Sequence, residues 1–214
     1  MHEERSPLHV FLTSWPTVVF CASIGLLLAV GLSFLRPLEY SSTTRILITL
    51  KTTSVDAYEA TRSVESIADQ LANLLSTSEI YKQVFASGYS IDASYFPQNN
   101  QTKFLKAWER AVDASVQRGS GLLTITAYHP TPAQAQELAN AVAFVFVTKG
   151  WDLSSGTGVT LKVVDEAVNS RYPVRPNFLL NGMSGLILGF LVGAGYLLIE
   201  DARGRGARRI VHSE

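Results

Sequence analysis

The chain has one cysteine, Cys21, and four histidines in 214 residues. With Cys21 inside an uncharged apolar run, no internal disulfide is available to the rest of the chain, whichever compartment holds it. His2, His9, His129 and His212 are scattered, and no set of His, Cys, Asp and Glu has zinc-ligand spacing. No G-x-x-x-x-G-K-[ST] loop is present to cradle a nucleotide phosphate. Ser155-Gly156-Thr157-Gly158 lacks the required lysine and reads as a turn. There is no G-x-S-x-G nucleophile elbow, and the acidic residues are spread along helix faces rather than paired. Lysine plus arginine and aspartate plus glutamate balance at 18 each, and no basic run lies in the central part of the chain. Neither catalysis, nor a cofactor, nor a metal, nor a nucleic-acid partner is expected from this inventory.

What the chain has in excess is apolar residues, 47% against 17% charged. Two stretches hold that excess. Pro16 to Leu35 and Phe178 to Ile199 contain no charged residue, and at about 1.5 Å per residue each covers roughly the 30 Å hydrocarbon thickness of a bilayer. The flank Met1-His-Glu-Glu-Arg5 is not basic, and Arg36-Pro37-Leu38 follows in place of a cleavage site, so the first run reads as an uncleaved anchor. The predicted organisation is a cytoplasmic tail 1–15, a transmembrane helix 16–35, an extracytoplasmic domain 36–177, a transmembrane helix 178–199 and a cytoplasmic tail 200–214. Lysines and arginines on the two sides nearly balance, so charge alone favours tails-in orientation only mildly.

Within 36–177 the patterning predicts an α+β domain. Ile46, Ile48 and Leu50 alternate with Arg45, Leu47 and Thr49, as in a strand with one buried face. Val64, Ile67, Ala68, Leu71, Leu74 and Leu75 recur at helical spacing, with Ser63 as N-cap. A second helix covers Glu79 to Ser87 and ends at Gly88. Tyr89 to Gln101 reads as a loop, and Phe104, Leu105 and Trp108 as a short helix. Val112–Gln117 and Leu122–Tyr128 form a hairpin about Arg118-Gly119-Ser120-Gly121, with Leu123, Ile125 and Ala127 on one face. Thr131 and Pro132 open a helix to about Lys149, buried along Leu138, Val142, Val145 and Phe146. Val159 to Asp165 is the last strand. The expected architecture is a mostly antiparallel sheet with helices on one face, flanked by the two spans.

Three groups of residues carry candidate roles. Small residues at i, i+4 spacing, Cys21, Gly25, Ala29 and Ser33 in the first span and Gly185, Gly189 and Gly193 in the second, suit close helix packing in lipid, within or between subunits. Tyr172, Pro173, Pro176 and Asn177 mark a proline-rich segment before the second span, whose prolines preset φ and are expected to fix the angle between domain and helix. Arg203, Arg205, Arg208 and Arg209 form a basic tail suited to an anionic leaflet or a cytoplasmic partner.

Four stretches together resemble the polysaccharide co-polymerases, the Wzz-like chain-length determinant and capsule-regulator family. They are Pro37-Leu38-Glu39-Tyr40; Ser76-Thr77-Ser78-Glu79; His129-Pro130-Thr131-Pro132-Ala133-Gln134-Ala135-Gln136-Glu137-Leu138-Ala139-Asn140; and Tyr172-Pro173-Val174-Arg175-Pro176-Asn177. The third looks like the family's helix opening, with His129 where the pattern has an acidic residue. The fourth looks like its proline-rich segment. The resemblance implies a non-catalytic homo-oligomer in the bacterial inner membrane, acting beside a polysaccharide polymerase or exporter on capsular or exopolysaccharide length. The chain resembles the short kind without a fused kinase, for which a separate cytoplasmic tyrosine kinase is a candidate partner, expected at Ala202 to Glu214. The rival readings are a two-span sensory or ligand-binding module working through a partner, and a membrane enzyme acting on glycans through paired carboxylates.

Overall fold

The computed structural model describes residues 14–50, 57–153 and 158–211. It falls into two compact units, Leu38–Val174 and the described parts of Met1–Pro37 with Arg175–Glu214. The expected turn at Ser155 to Thr157 and the tail 1–13 lie outside the described residues.

Leu38–Val174 is α+β. Its elements are β1 (Tyr40–Leu50), α2 (Ala57–Leu74), α3 (Ser78–Phe85), a 3-10 turn (Ala93–Tyr95), α4 (Gln101–Ala111), β2 (Val112–Gln117), β3 (Leu122–His129), α5 (Pro132–Leu153) and β4 (Val159–Asn169). The remaining unit contains α1 (Trp15–Ser33) and α6 (Phe178–Val211). The four strands form one sheet in the order β2-β3-β1-β4, with every neighbouring pair antiparallel.

One face of the sheet is buried. Ser42, Thr44, Ile46 and Ile48 of β1 and Leu123, Ile125, Ala127 and His129 of β3 point to it, as their alternating burial requires. Helix α5 lies across β3, β1 and β4, and α2 across β2, β1 and β3. Leu138, Val142, Val145 and Phe146 of α5 and Ala68 and Leu71 of α2 fill the core. The segment after α3 is pinned by Phe96, which packs among Phe85, Phe104 and Trp108 with centroids 5.5, 5.3 and 6.1 Å away. The buried Trp108 Nε1–H donates to the Leu75 carbonyl at 2.7 Å, tying α4 to the end of α2.

Several elements differ from the sequence expectation. Strand β1 starts at Tyr40 because Ser42 and Thr44 take inward positions as hydroxyls, which hydropathy does not register. The Thr44 hydroxyl donates to the Asp165 carbonyl at 2.7 Å. Ser63 is not an N-cap: α2 begins at Ala57, and the Ser63 hydroxyl donates to the Glu59 carbonyl within the helix. Its first turn, Ala57-Tyr58-Glu59-Ala60, precedes the apolar stripe that starts at Val64 and so does not announce the helix. Strand β4 runs on to Asn169 through two register shifts against β1, between Thr43 and Arg45 and between Arg45 and Ile46. These irregularities break the period-2 pattern of its sequence.

Candidate functional site

In Leu38–Val174 the incoming and outgoing chain segments run side by side. Ser170 N–H donates to the Ser41 carbonyl at 2.7 Å, Ser41 N–H to the Ser170 hydroxyl at 3.0 Å, and Val174 N–H to the Glu39 carbonyl at 2.8 Å. The chain therefore enters and leaves this unit at one end of its sheet. At that end sits a polar cluster that motif reading missed as a unit. Glu39 is 3% exposed and His129 7% exposed. Tyr95 donates its hydroxyl to Glu39 Oε1 at 3.1 Å, and its ring lies 4.6 Å from the His129 ring. Glu39 and His129 belonged to separate motifs, and Tyr95 lay in a segment read only as loop. No sequence spacing connects the three.

His129 explains its own motif. Its Nδ1 accepts the Thr131 N–H at 3.0 Å, which places the ring proton on Nε2, and Nε2 has no hydrogen-bond partner among the described residues. This is the bond an aspartate at that place would make two residues on. Burial lowers the His129 pKa below the ordinary histidine value, against the opposing pull of the Asp92 and Glu39 carboxylates. The Asp92 carboxyl is held below its usual range chiefly by the Ser94 hydroxyl, at 2.6 Å, and the Ser94 N–H, at 2.9 Å. Gln134, in the first turn of α5, accepts from Asp92 N–H and donates to the Ser90 carbonyl, fastening the loop to the helix. The stretch from His129 to Asn140 thus builds the end of the sheet and the start of α5.

The unit containing α1 and α6 brings the small residues together. A Cβ added at Gly25 would meet the Gly185 carbonyl oxygen and, at 3.0 Å, Gly189 Cα; one at Gly189 would meet the Cys21 carbonyl oxygen and, at 2.8 Å, Ala22 Cα. At Gly185 it would meet Ala29, and at Gly193 both Cys21 and Val18. The two ridges interlock within one chain, as an antiparallel helix pair. At the end where α1 finishes and α6 begins, Asn181 Nδ2 donates to the buried Ser33 hydroxyl at 2.8 Å, and Phe34 stacks on Phe178 at 5.0 Å.

Most of the large apolar side chains of this pair point outward, Val18 and Leu197 being buried exceptions. Phe20 is 66% exposed, Leu27 70% and Leu179 76%. In water an apolar helix pair buries its large side chains and exposes its small ones, so this arrangement is inverted. Trp15–Ser33 and Phe178–Glu200, with mean hydropathies of 2.0 and 1.9, are both long and apolar enough to cross a membrane.

The other expected site residues are placed separately. In Leu38–Val174, Tyr172 is exposed with the Arg171 guanidinium 5.6 Å over its ring, and Pro173 is half-buried. In the helical unit, Pro176 follows a cis peptide bond, and Asn177 caps α6, its Oδ1 accepting the Leu180 N–H at 3.0 Å. Arg203 is exposed on α6, whose backbone stays helical to Val211; the side chains of Arg205, Arg208 and Arg209 lie outside the described residues. Among the described residues no three His, Cys, Asp or Glu side chains gather as metal ligands.

Fold and geometry together define an α+β domain whose chain ends continue into two apolar helices packed through small residues. Neither protein-family models nor curated proteins give a match to the chain.

Proposed function

We propose that this protein is a membrane-anchored, non-enzymatic co-polymerase that regulates the length or export of a capsular or exopolysaccharide, working as a homo-oligomer beside a polymerase or exporter. The observation that carries this reading is the helix pair, whose small residues interlock while Phe20, Leu27 and Leu179 face outward. That inversion suits a lipid surround, where dispersion between closely approaching backbones replaces apolar burial as the force holding helices together. An antiparallel pair in the inner membrane puts both chain ends on one side, with Leu38–Val174 on the other, outside the cytoplasm. The side-by-side Ser41 and Ser170 segments support the same arrangement, since a domain hung from two adjacent helices must take in and return its chain at one end. The four ordered motifs of the sequence add the polysaccharide reading.

Deleting the gene and sizing the surface polysaccharide by gel electrophoresis tests the proposal. The expected result is a shifted length distribution or loss of surface polymer, restored by the wild-type gene. An unchanged distribution at unchanged yield rejects it.

A further inference from the structure

On one flank of Leu38–Val174, a groove of about 410 Å³ runs between α2 and the β2–β3 hairpin, its lining including Arg62, Glu65, Asp69, Gln70, Asn73 and Arg118, with Val116 as the one apolar contributor. That volume is within the range of ligand sites, about 300–1,000 Å³, but the lining is polar where ligand sites are mostly apolar. All six of these polar side chains end in a planar group that bonds in a fixed plane through two atoms; Glu65 and Gln70 are partly engaged. Arg62, Asp69, Asn73 and Arg118 have no side-chain hydrogen bond or ion pair among the described residues.

The walls are fixed. Glu65 Oε1 accepts the Gly119 N–H at 2.6 Å, and Ile48 N–H donates to the Gly121 carbonyl at 2.9 Å, so the hairpin tip is fastened to both the helix and the central strand. Gly121 has φ +65°, and a Cβ there would meet Val64 Cγ1 at 2.8 Å and the Ile48 carbonyl at 2.9 Å. Only glycine allows the hairpin to sit this close to α2. The backbone of both walls is already fixed, so binding has to order only the exposed side chains, the two arginines foremost.

Charge selects the ligand. Arg62 and Arg118 balance Glu65 and Asp69, so the groove holds both signs and no net charge. A phosphate or a polyanion would meet two carboxylates, and a polycation two guanidiniums. A neutral polyol satisfies both, because each vicinal hydroxyl pair can accept from a guanidinium or amide and donate to a carboxylate.

We infer that the groove between α2 and the β2–β3 hairpin binds a short neutral stretch of the polysaccharide, with Arg62, Asp69 and Arg118 as its principal hydrogen-bonding residues. This rests on the co-polymerase reading and names where the polymer is touched. The groove has no aromatic platform among its lining residues, so single-site affinity is low, and repeated sites in an oligomer would raise it by avidity.

The test uses the full chain in lipid nanodiscs and saturation-transfer difference NMR. The probes are maltohexaose, a β-1,4-linked glucose hexamer and a β-1,6-linked N-acetylglucosamine hexamer, with hexagalacturonate as the acidic comparison. At least one neutral hexamer should receive saturation, and the Arg62→Gln/Asp69→Asn/Arg118→Gln variant should weaken that binding by about tenfold or more. Glu65 is left in place because it holds the hairpin. Should the triple variant lose its unfolding transition, Arg118→Gln alone, at an exposed turn position, gives the same readout. Saturation of no neutral hexamer, saturation of hexagalacturonate alone, or undiminished binding in the folded variants overturns the assignment. Failure here is distinct from failure of the co-polymerase reading: if deleting the gene changes polymer length but the triple variant restores it fully, the groove assignment falls and the co-polymerase reading stands.

Discussion

His129 ends β3 with a buried neutral ring that accepts the Thr131 N–H. Its pKa in the fold is depressed, so it contributes stability at pH above the ordinary value of 6.5, and that contribution is lost as pH falls through the depressed value. Glu39 and Asp92 face the ring and oppose the shift without reversing it. The thermal midpoint should therefore fall as the pH is lowered from 8 to 5. In His129→Asn, which keeps an acceptor for Thr131 without titrating there, the profile should be flatter; an equally steep profile assigns the loss to other groups. Glycines offer a second contrast at this scale. Gly189→Leu forces α1 and α6 apart at Ala22 Cα, whereas Gly31 has no neighbour within 4 Å to meet a new Cβ. Gly189→Leu should cost about 1–3 kcal/mol or more, and Gly31→Ala close to nothing, as read by unfolding of the full chain in nanodiscs.

Among the elements, the helix starts and the α2–α4 junction depend on single polar contacts. Asn177 and Asn100 each cap a helix through a side-chain oxygen, on Leu180 N–H and Lys103 N–H. Asn100→Ala should destabilise the fold by about 1 kcal/mol, measured by chemical denaturation. Trp108→Phe keeps most of the packing volume but leaves the buried Leu75 carbonyl unpaired, with an expected loss of about 1–3 kcal/mol in the same measurement. If the two were equal within error, the indole bond would be contributing no more than an ordinary exposed cap. The edge strand β4 departs most from regular geometry, with Val164 and Val168 exposed near its register shifts. Bulges of this kind bend an edge strand and make uncontrolled pairing with another chain harder.

For the molecule as a whole, the membrane reading predicts which parts reagents reach from outside the cell. With Cys21 replaced by serine, a cysteine at the exposed Gln98 should react with a membrane-impermeant maleimide on intact cells, and one at the exposed Arg203 only after permeabilisation. The reverse pattern, or extraction of the protein by high salt without detergent, would reject the topology. The same frame separates stability from function. Variants that open the α1–α6 packing should alter the helix pair, whereas groove variants should alter polymer length with the fold unchanged.

Much of the fold was legible in the chain because burial imposes periodicity. Ile46 and Ile48, the Leu123–Ala127 alternation and the α5 stripe each follow from one face meeting a core, and two uncharged runs mark α1 and α6 without any structure. Less legible were elements whose inward residues are hydroxyls, such as Ser42 and Thr44, or whose first turn precedes the apolar stripe, as at Ala57. The Glu39–Tyr95–His129 cluster and the groove at Arg62 and Arg118 could not be read at all. Their members are far apart in sequence, and hydrogen bonding between them follows no period. Local pattern determines which elements form and which side of each is buried; only folding decides which distant polar groups meet.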